Sequence, residues 1–145
     1  MKSIHTQIQI HATPEKVWQI LTDLKSYQQW NPFMTSAAGE IRTGSRLTVS
    51  IEPPNSRAMI FRPIITQVNP GSELCWIGHL LLPGLLDGKH VFKIQAGDAG
   101  KIQFVQEEFF SGLLVPLLWR KLNAGTRRGF ELMNAALKRI AEKSD

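Results

Sequence analysis

PLLWRKLNAGTRRGFELMNAALKRIAEK, residues 116–143, is an amphipathic stretch that follows a long run of strand-like segments. Leu118, Leu122, Gly125, Gly129, Met133, Ala136 and Ile140 recur on one side at helical spacing, with Phe130 and Leu137 beside them. Arg120, Lys121, Arg127, Arg128, Lys138, Arg139 and Lys143 alternate with that stripe, as on a solvated face. A helix of about 27 residues is about 40 Å long, enough to lie along a whole sheet and roof it. A sheet that curves beneath such a roof leaves a cavity. Glycine in a helix interior costs about 1 kcal/mol relative to alanine. Gly125 and Gly129 on the inward side therefore mark a close approach, either to the sheet or to a bound molecule.

Upstream of the helix the periodicity changes. Ile4, Thr6, Ile8 and Ile10 alternate with Ser3, His5, Gln7 and Gln9, which predicts a half-buried strand. Thr13-Pro14-Glu15 supplies a capping hydroxyl, a first-turn proline and an early acid. Val17, Trp18, Ile20 and Leu21 then predict a helix from Pro14 to about Thr22. Asp23 caps a second, shorter turn through Tyr27 and Gln29, which Asn31-Pro32 ends. Strands are expected over about residues 36–42, 45–52, 57–69, 72–80, 87–96 and 101–111. Thr43-Gly44, Pro53-Pro54-Asn55, Asn69-Pro70-Gly71 and Gly97-Asp98-Ala99-Gly100 punctuate them. Turns this short join antiparallel neighbours, since parallel ones need long crossovers.

A chain of 145 residues is of the size of one domain, expected to span 1–145. Its 43% hydrophobic and 20% charged residues exclude disordered and fibrous classes. The net charge of +5 permits weak attraction to polyanions, but the aromatic residues sit in strand-like positions rather than interleaved with the basic ones. No nucleic-acid partner is expected. Cys75 is the single cysteine, so no internal disulfide forms, and residues 1–12 lack a basic-then-apolar leader. The expected compartment is a reducing cytoplasm. The apolar runs Leu80 to Leu86 and Leu113 to Trp119 fall short of the roughly 18 residues of a membrane span. Lying at element ends, they form either a plug under the helix start or a gate whose rim touches a membrane transiently.

Ile8-x-Ile10-x-Ala12-x-Pro14-Glu15-x-Val17-Trp18-x-x-Leu21-x-Asp23 followed by Tyr27-x-x-Trp30-Asn31-Pro32 resembles the opening of the START and Bet v 1-like superfamily, also called SRPBCC or polyketide cyclase/dehydrase-like. The resemblance continues through Leu74-x-Trp76-x-Gly78, Gly88-x-His90-x-Phe92, Phe104-x-Gln106-x-Glu108-x-Phe110-x-Gly112 and Leu137-Lys138-x-x-Ala141-Glu142, covering nearly the whole chain. It implies an α+β helix-grip fold: a seven-stranded curved antiparallel sheet around the long C-terminal helix, with two short helices between strands 1 and 2. It specifies no activity, because the superfamily includes lipid carriers, hormone receptors, aromatases, cyclases and chaperone activators.

Alternation supports that architecture independently. Trp76, Phe92 and Phe104 lie on strand faces that should turn toward the helix, each contributing about 1.5–3 kcal/mol on burial. A three-residue turn closing Gly97 on Lys101 pairs Ile94 with Phe104, Phe92 with Gln106 and His90 with Glu108. An imidazole then faces a carboxylate on the cavity side, where neither charge persists unpaired. The pair reads as a register-fixing contact, a polar anchor for a ligand, or a proton-transfer couple. His90 and Glu108 are also the sole catalytic candidates.

The expected ligand-binding residues are Trp30 and Phe33 at the break after the second helix, Trp76, His90, Phe92, Phe104, Gln106, Glu108 and Phe110 on the strands, and Leu122, Phe130 and Met133 on the last helix. No metal or cofactor is expected: His5, His11, His79 and His90 lack ligand spacing, and there is no phosphate-cradling glycine loop. The leading expectation is a non-catalytic container for a small hydrophobic or amphipathic ligand such as a lipid, sterol, polyketide or aromatic metabolite. The alternatives are a polyketide cyclase/dehydrase-like enzyme and a protein-interaction module of the chaperone-activator type, which would have a filled interior.

Overall fold

Lys2–Ile10 forms β1, with Ile4, Thr6 and Ile10 buried and Ser3, His5, Gln7 and Gln9 exposed, in a computed structural model that describes residues 2–80 and 82–143. Thr13 Oγ1 accepts the Lys16 N–H at 3.1 Å and so caps α1, Pro14–Thr22. A 3-10 turn, Leu24–Ser26, leads into the short α2, Tyr27–Trp30. There Asn31 stops the helix: its side-chain oxygen accepts the N–H groups of Phe33 and Met34 at 3.0 and 2.8 Å and turns the chain into a strand. The strands β2 Met34–Ala38, β3 Thr48–Ile51, β4 Met59–Phe61, β5 Ile64–Asn69, β6 Glu73–Leu80, β7 Leu86–Ala96 and β8 Ile102–Ser111 follow, then α3, Val115–Ala141.

The described residues form eight strands in two antiparallel sheets, ordered β1-β8-β7-β6-β5 and β2-β3-β4, where seven strands in one sheet were expected. The segment 57–69, read as one strand, divides at Arg62-Pro63 into β4 and β5. Proline has no N–H for a ladder, so the chain changes sheets there. Pro63 packs on Gly78 of β6, and its carbonyl accepts the Leu47 N–H at 2.8 Å. Ser45 O accepts the Ile65 N–H at 2.9 Å, so the segment before β3 bridges the two sheets into one curved wall. β2, expected at 36–42, spans Met34–Ala38 and ends there because Gly39 takes φ +132°. A side chain there would meet Leu47 in addition to the backbone strain.

The hairpin β7–β8 has the register that the turn predicts. Gly97 N–H donates to Lys101 O at 3.0 Å, and His90 stands opposite Glu108, Phe92 opposite Gln106, and Ile94 opposite Phe104. The inner faces carry Leu74, Trp76, Phe92 and Phe104, all buried. Cys75, Val91 and Val105 on the outer face are buried too, which accounts for the apolar residues on both faces of these strands. A charged cluster lies on that outer face: Glu107 meets Lys93 Nζ at 3.1 Å and His5 Nδ1 at 3.2 Å. Desolvation alone would raise the Glu107 carboxyl, but the hydrogen bonds from Lys93 and His5 together hold it below the usual carboxylate range. Surrounding apolar groups push the Cys75 thiol up.

Along α3 the packing changes midway. From Gly129 onward Phe130, Met133, Ala136, Leu137 and Ala141 are buried. Gly129 is needed because a Cβ there would stand 2.3 Å from the Phe33 ring. Two of the basic residues do more than solvate the helix: Arg127 donates to His5 O at 3.2 Å and Lys138 Nζ to Gln9 O at 2.9 Å. These bonds occupy carbonyls on β1, the edge strand, and blunt its capacity to pair with another chain. Leu118, Leu122 and Gly125, in the first half of the helix, are only partly buried.

Candidate functional site

Under that first half lies a cavity of about 460 Å³. Its roof is Leu118, Leu122, Gly125 and Phe130 of α3, one wall is Val49, Ile51, Met59 and Phe61 of β3 and β4, and the other is Trp76, His90, Glu108 and Phe110 of the larger sheet. Gly78 of β6 stands opposite Gly88 of β7, and both line the cavity; a Cβ at Gly78 would meet Pro63 at 3.6 Å and one at Gly88 would stand 2.7 Å from Glu108 Oε2, so the two glycines make room for those residues. Gly125 leaves room in the roof, where a Cβ would meet only Pro53, at 3.6 Å. The volume falls within the roughly 300–1,000 Å³ of small-molecule sites.

The polar groups of the wall form a connected chain. His90 is 2% exposed. Its Nδ1 is 3.1 Å from Glu108 Oε1 and its Nε2 is 2.9 Å from Gln106 Oε1. Gln106 Nε2 donates to Asn134 Oδ1 at 2.7 Å, and Asn134 Nδ2 donates to Thr6 Oγ1 at 3.0 Å. The chain runs from the cavity through β8 and α3 to β1 and ties the helix to the sheet where it starts to diverge. The imidazole stacks on Phe92 at 4.2 Å and meets Phe130 edge-on at 4.9 Å. Elsewhere on the cavity wall His79 Nδ1 is 2.6 Å from Asp87 Oδ1. That hydrogen bond, aided by the Gly84 N–H and by the charge of His79, holds the Asp87 carboxyl below its usual range against some desolvation.

Of the residues expected to touch a ligand, Phe33, Trp76, His90, Glu108, Phe110, Leu122 and Phe130 line the cavity. Phe92, Phe104 and Met133 do not; they are fully buried in the core, deeper along the same faces where α3 presses on the sheet. Gln106 also stays off the cavity wall, with both ends of its amide engaged by His90 and Asn134. Trp30 lies outside it as well, packed edge-on against Tyr27 at 5.3 Å with its Nε1–H on Ser26 Oγ. Asn134 went unrecognised because a lone asparagine at a helical core position has no motif. The wall from β3 and β4 went unrecognised because Pro53-Pro54-Asn55 reads as a turn, without indicating that the turn folds over a helix.

The two leucine-rich stretches join each other. Leu113 N–H donates to Gly84 O at 3.0 Å and Leu114 N–H to Leu85 O at 2.9 Å. Leu86 and Val115 are buried in the manner of a plug, whereas Leu82, Leu113 and Leu117 are 69%, 81% and 80% exposed. Leu81 lies outside the described residues.

A family model described as polyketide cyclase/dehydrase and lipid transport matches residues 1–144. The chain belongs to that family. No curated protein matches this polyketide cyclase/dehydrase and lipid transport family member. Among solved structures, the Zhui aromatase/cyclase from Streptomyces sp. R1128 superposes with a TM-score of 0.80 at 15% identity, over 97% of this chain and 93% of that one. A START superfamily protein from Mycobacterium smegmatis gives 0.72 at 15% identity, over 95% and 98%. A Mesorhizobium loti protein gives 0.76 at 19% identity, over 99% of both chains. At such identities the likeness establishes the helix-grip fold and leaves the chemistry to the site. No helix of the described residues is long and apolar enough to cross a membrane.

Proposed function

We propose that this family member binds a small apolar or amphipathic molecule, of the lipid, sterol, polyketide or aromatic-metabolite kind, in the cavity between α3 and the curved sheet. The observation that carries this reading is the cavity itself: about 460 Å³ walled by aromatic and aliphatic side chains and floored by the facing Gly78 and Gly88. A void of that size lined by apolar groups weakens a fold unless something fills it. It also weighs against the protein-interaction alternative, for which a filled interior is expected. Lone Cys75, a buried free thiol, fits a reducing compartment.

The test has two arms. Native mass spectrometry of protein purified from its own cells should reveal a co-purifying small molecule. Titration with the neutral fluorophore N-phenyl-1-naphthylamine should show saturable binding that Gly125→Phe abolishes while the protein still melts cooperatively. Unchanged binding in Gly125→Phe places the probe elsewhere and removes the basis of the reading. A second reading, cyclase or dehydrase chemistry, is favoured by one feature, the His90–Glu108 pair in the cavity wall. It requires turnover of an added polyketide analogue that Glu108→Gln suppresses.

A further inference from the structure

In the polar chain behind the cavity nearly every group is engaged within the protein. His90 has both ring nitrogens engaged, by Glu108 Oε1 and by Gln106 Oε1, so it offers a ligand only its ring. Gln106, Asn134 and Thr6 satisfy one another. The remaining atom is Glu108 Oε2, which makes no hydrogen bond to any described residue. It stands 2.7 Å from the point where a Cβ would sit on Gly88, so the carboxylate end itself rests in the room that this glycine leaves. Glu108 is 13% exposed at its side chain, and it and Gly88 both line the cavity.

The chemistry of that oxygen is the same in three proton arrangements of the pair. If His90 carries protons on both nitrogens, Glu108 is a carboxylate and Oε2 accepts. If the proton of the pair sits on Glu108 Oε1 and is donated to His90 Nδ1, Oε2 is a carbonyl oxygen and accepts. If the two amides of Gln106 and Asn134 are turned so that Gln106 donates to His90 Nε2, the Nδ1–H faces a carboxylate and Oε2 again accepts. No described residue donates to this oxygen, which is left to water or to a bound ligand.

We propose that Glu108 Oε2 is the selecting group of the cavity: the molecule bound carries a hydroxyl or N–H on an otherwise apolar frame and donates it to this oxygen. This rests on the container reading and narrows it from apolar molecules in general to hydrogen-bond donors. His90 is a positioning residue that holds the other carboxylate oxygen against β7.

The experiment compares two probes of nearly equal shape, 2-naphthol and 2-methylnaphthalene, by calorimetric or fluorescence titration of the wild type, Glu108→Met and Gly88→Ala. Methionine keeps the length of glutamate and removes the acceptor. The alanine methyl, 2.7 Å from Oε2 as the oxygen now stands, pushes the flexible carboxylate end out of its present position and so moves the acceptor. The ratio of the two affinities cancels the difference in probe hydration between variants. It should fall about fivefold or more in Glu108→Met, as loss of a hydrogen bond implies, with methylnaphthalene binding changed by less than about threefold. Gly88→Ala should lower the same ratio, and it carries the test alone if Glu108→Met does not fold. If both probes bind and the ratio is unaltered, donor selection is wrong while the container stands. If neither probe binds the wild type, the container reading falls and this inference with it.

Discussion

Two glycines four residues apart on α3, alike in sequence, should respond in opposite directions to the same substitution. Gly125→Ala removes the helix-interior penalty of glycine, about 1 kcal/mol, and its new methyl meets Pro53 at an ordinary contact distance of 3.6 Å. For 145 residues the unfolding entropy is roughly 0.3 kcal/mol/K, so this variant should melt about 3 °C higher than wild type. Gly129→Ala gains the same propensity but drives its methyl to 2.3, 2.4 and 2.9 Å from three atoms of the Phe33 ring, one of them the atom that anchors the ring. A rigid ring yields only by turning as a whole. Overpacking of that kind costs about 1–3 kcal/mol. Turning also disrupts the edge-to-face contact of Phe33 with Phe130, now 5.7 Å and 82°, worth about 0.5–1.5 kcal/mol. The net expectation is a loss of about 2 kcal/mol, or a melting temperature about 6 °C below wild type. Differential scanning calorimetry of the three ligand-free proteins measures both shifts. Equal stabilisation by the two alanines would show that α3 does not press on Phe33 at Gly129, and the point where the helix leaves the sheet would then need another cause.

Other expectations follow from the polar contacts. Asn134→Leu leaves Gln106 Nε2 and Thr6 Oγ1 buried without their partner and should cost about 2–4 kcal/mol in urea denaturation; a neutral result would mean the chain behind the cavity contributes nothing to the fold. Because the Glu107 carboxyl is held below its usual 4.5 in the folded protein, its contribution to stability is present above that value and is lost as the pH falls through the lowered one. Melting temperatures recorded from about pH 6 to about pH 3 should therefore fall less steeply for Glu107→Gln than for wild type, and parallel curves would show that the Lys93–Glu107–His5 cluster is not formed in solution.

Much of the fold is a local property of the chain and was legible without coordinates. Thr13-Pro14 starts α1, Asn31-Pro32 ends α2, and the Gly97–Lys101 turn sets a register that places His90 opposite Glu108, because capping, proline sterics and turn length act over a few residues. Strand alternation likewise turned Trp76, Phe92 and Phe104 inward. Alternation specifies which face a side chain takes but not its depth beneath the helix. Phe104 and Met133 consequently share a face with cavity residues yet lie in solid core.

What only the tertiary structure decided is where matter is missing. The cavity lies where the chain changes sheets at Pro63 and under the part of α3 that precedes Gly129, from which point onward the helix is buried against the sheet. The choice of Glu108 over His90 as the group available to a ligand depended on Gln106 of β8, which engages the imidazole of β7 and is itself held by Asn134 of the helix. Periodicity and turn chemistry describe neighbours along the chain. An enclosed space and a free lone pair are set by groups distant in sequence, and they become visible only when every element is in place.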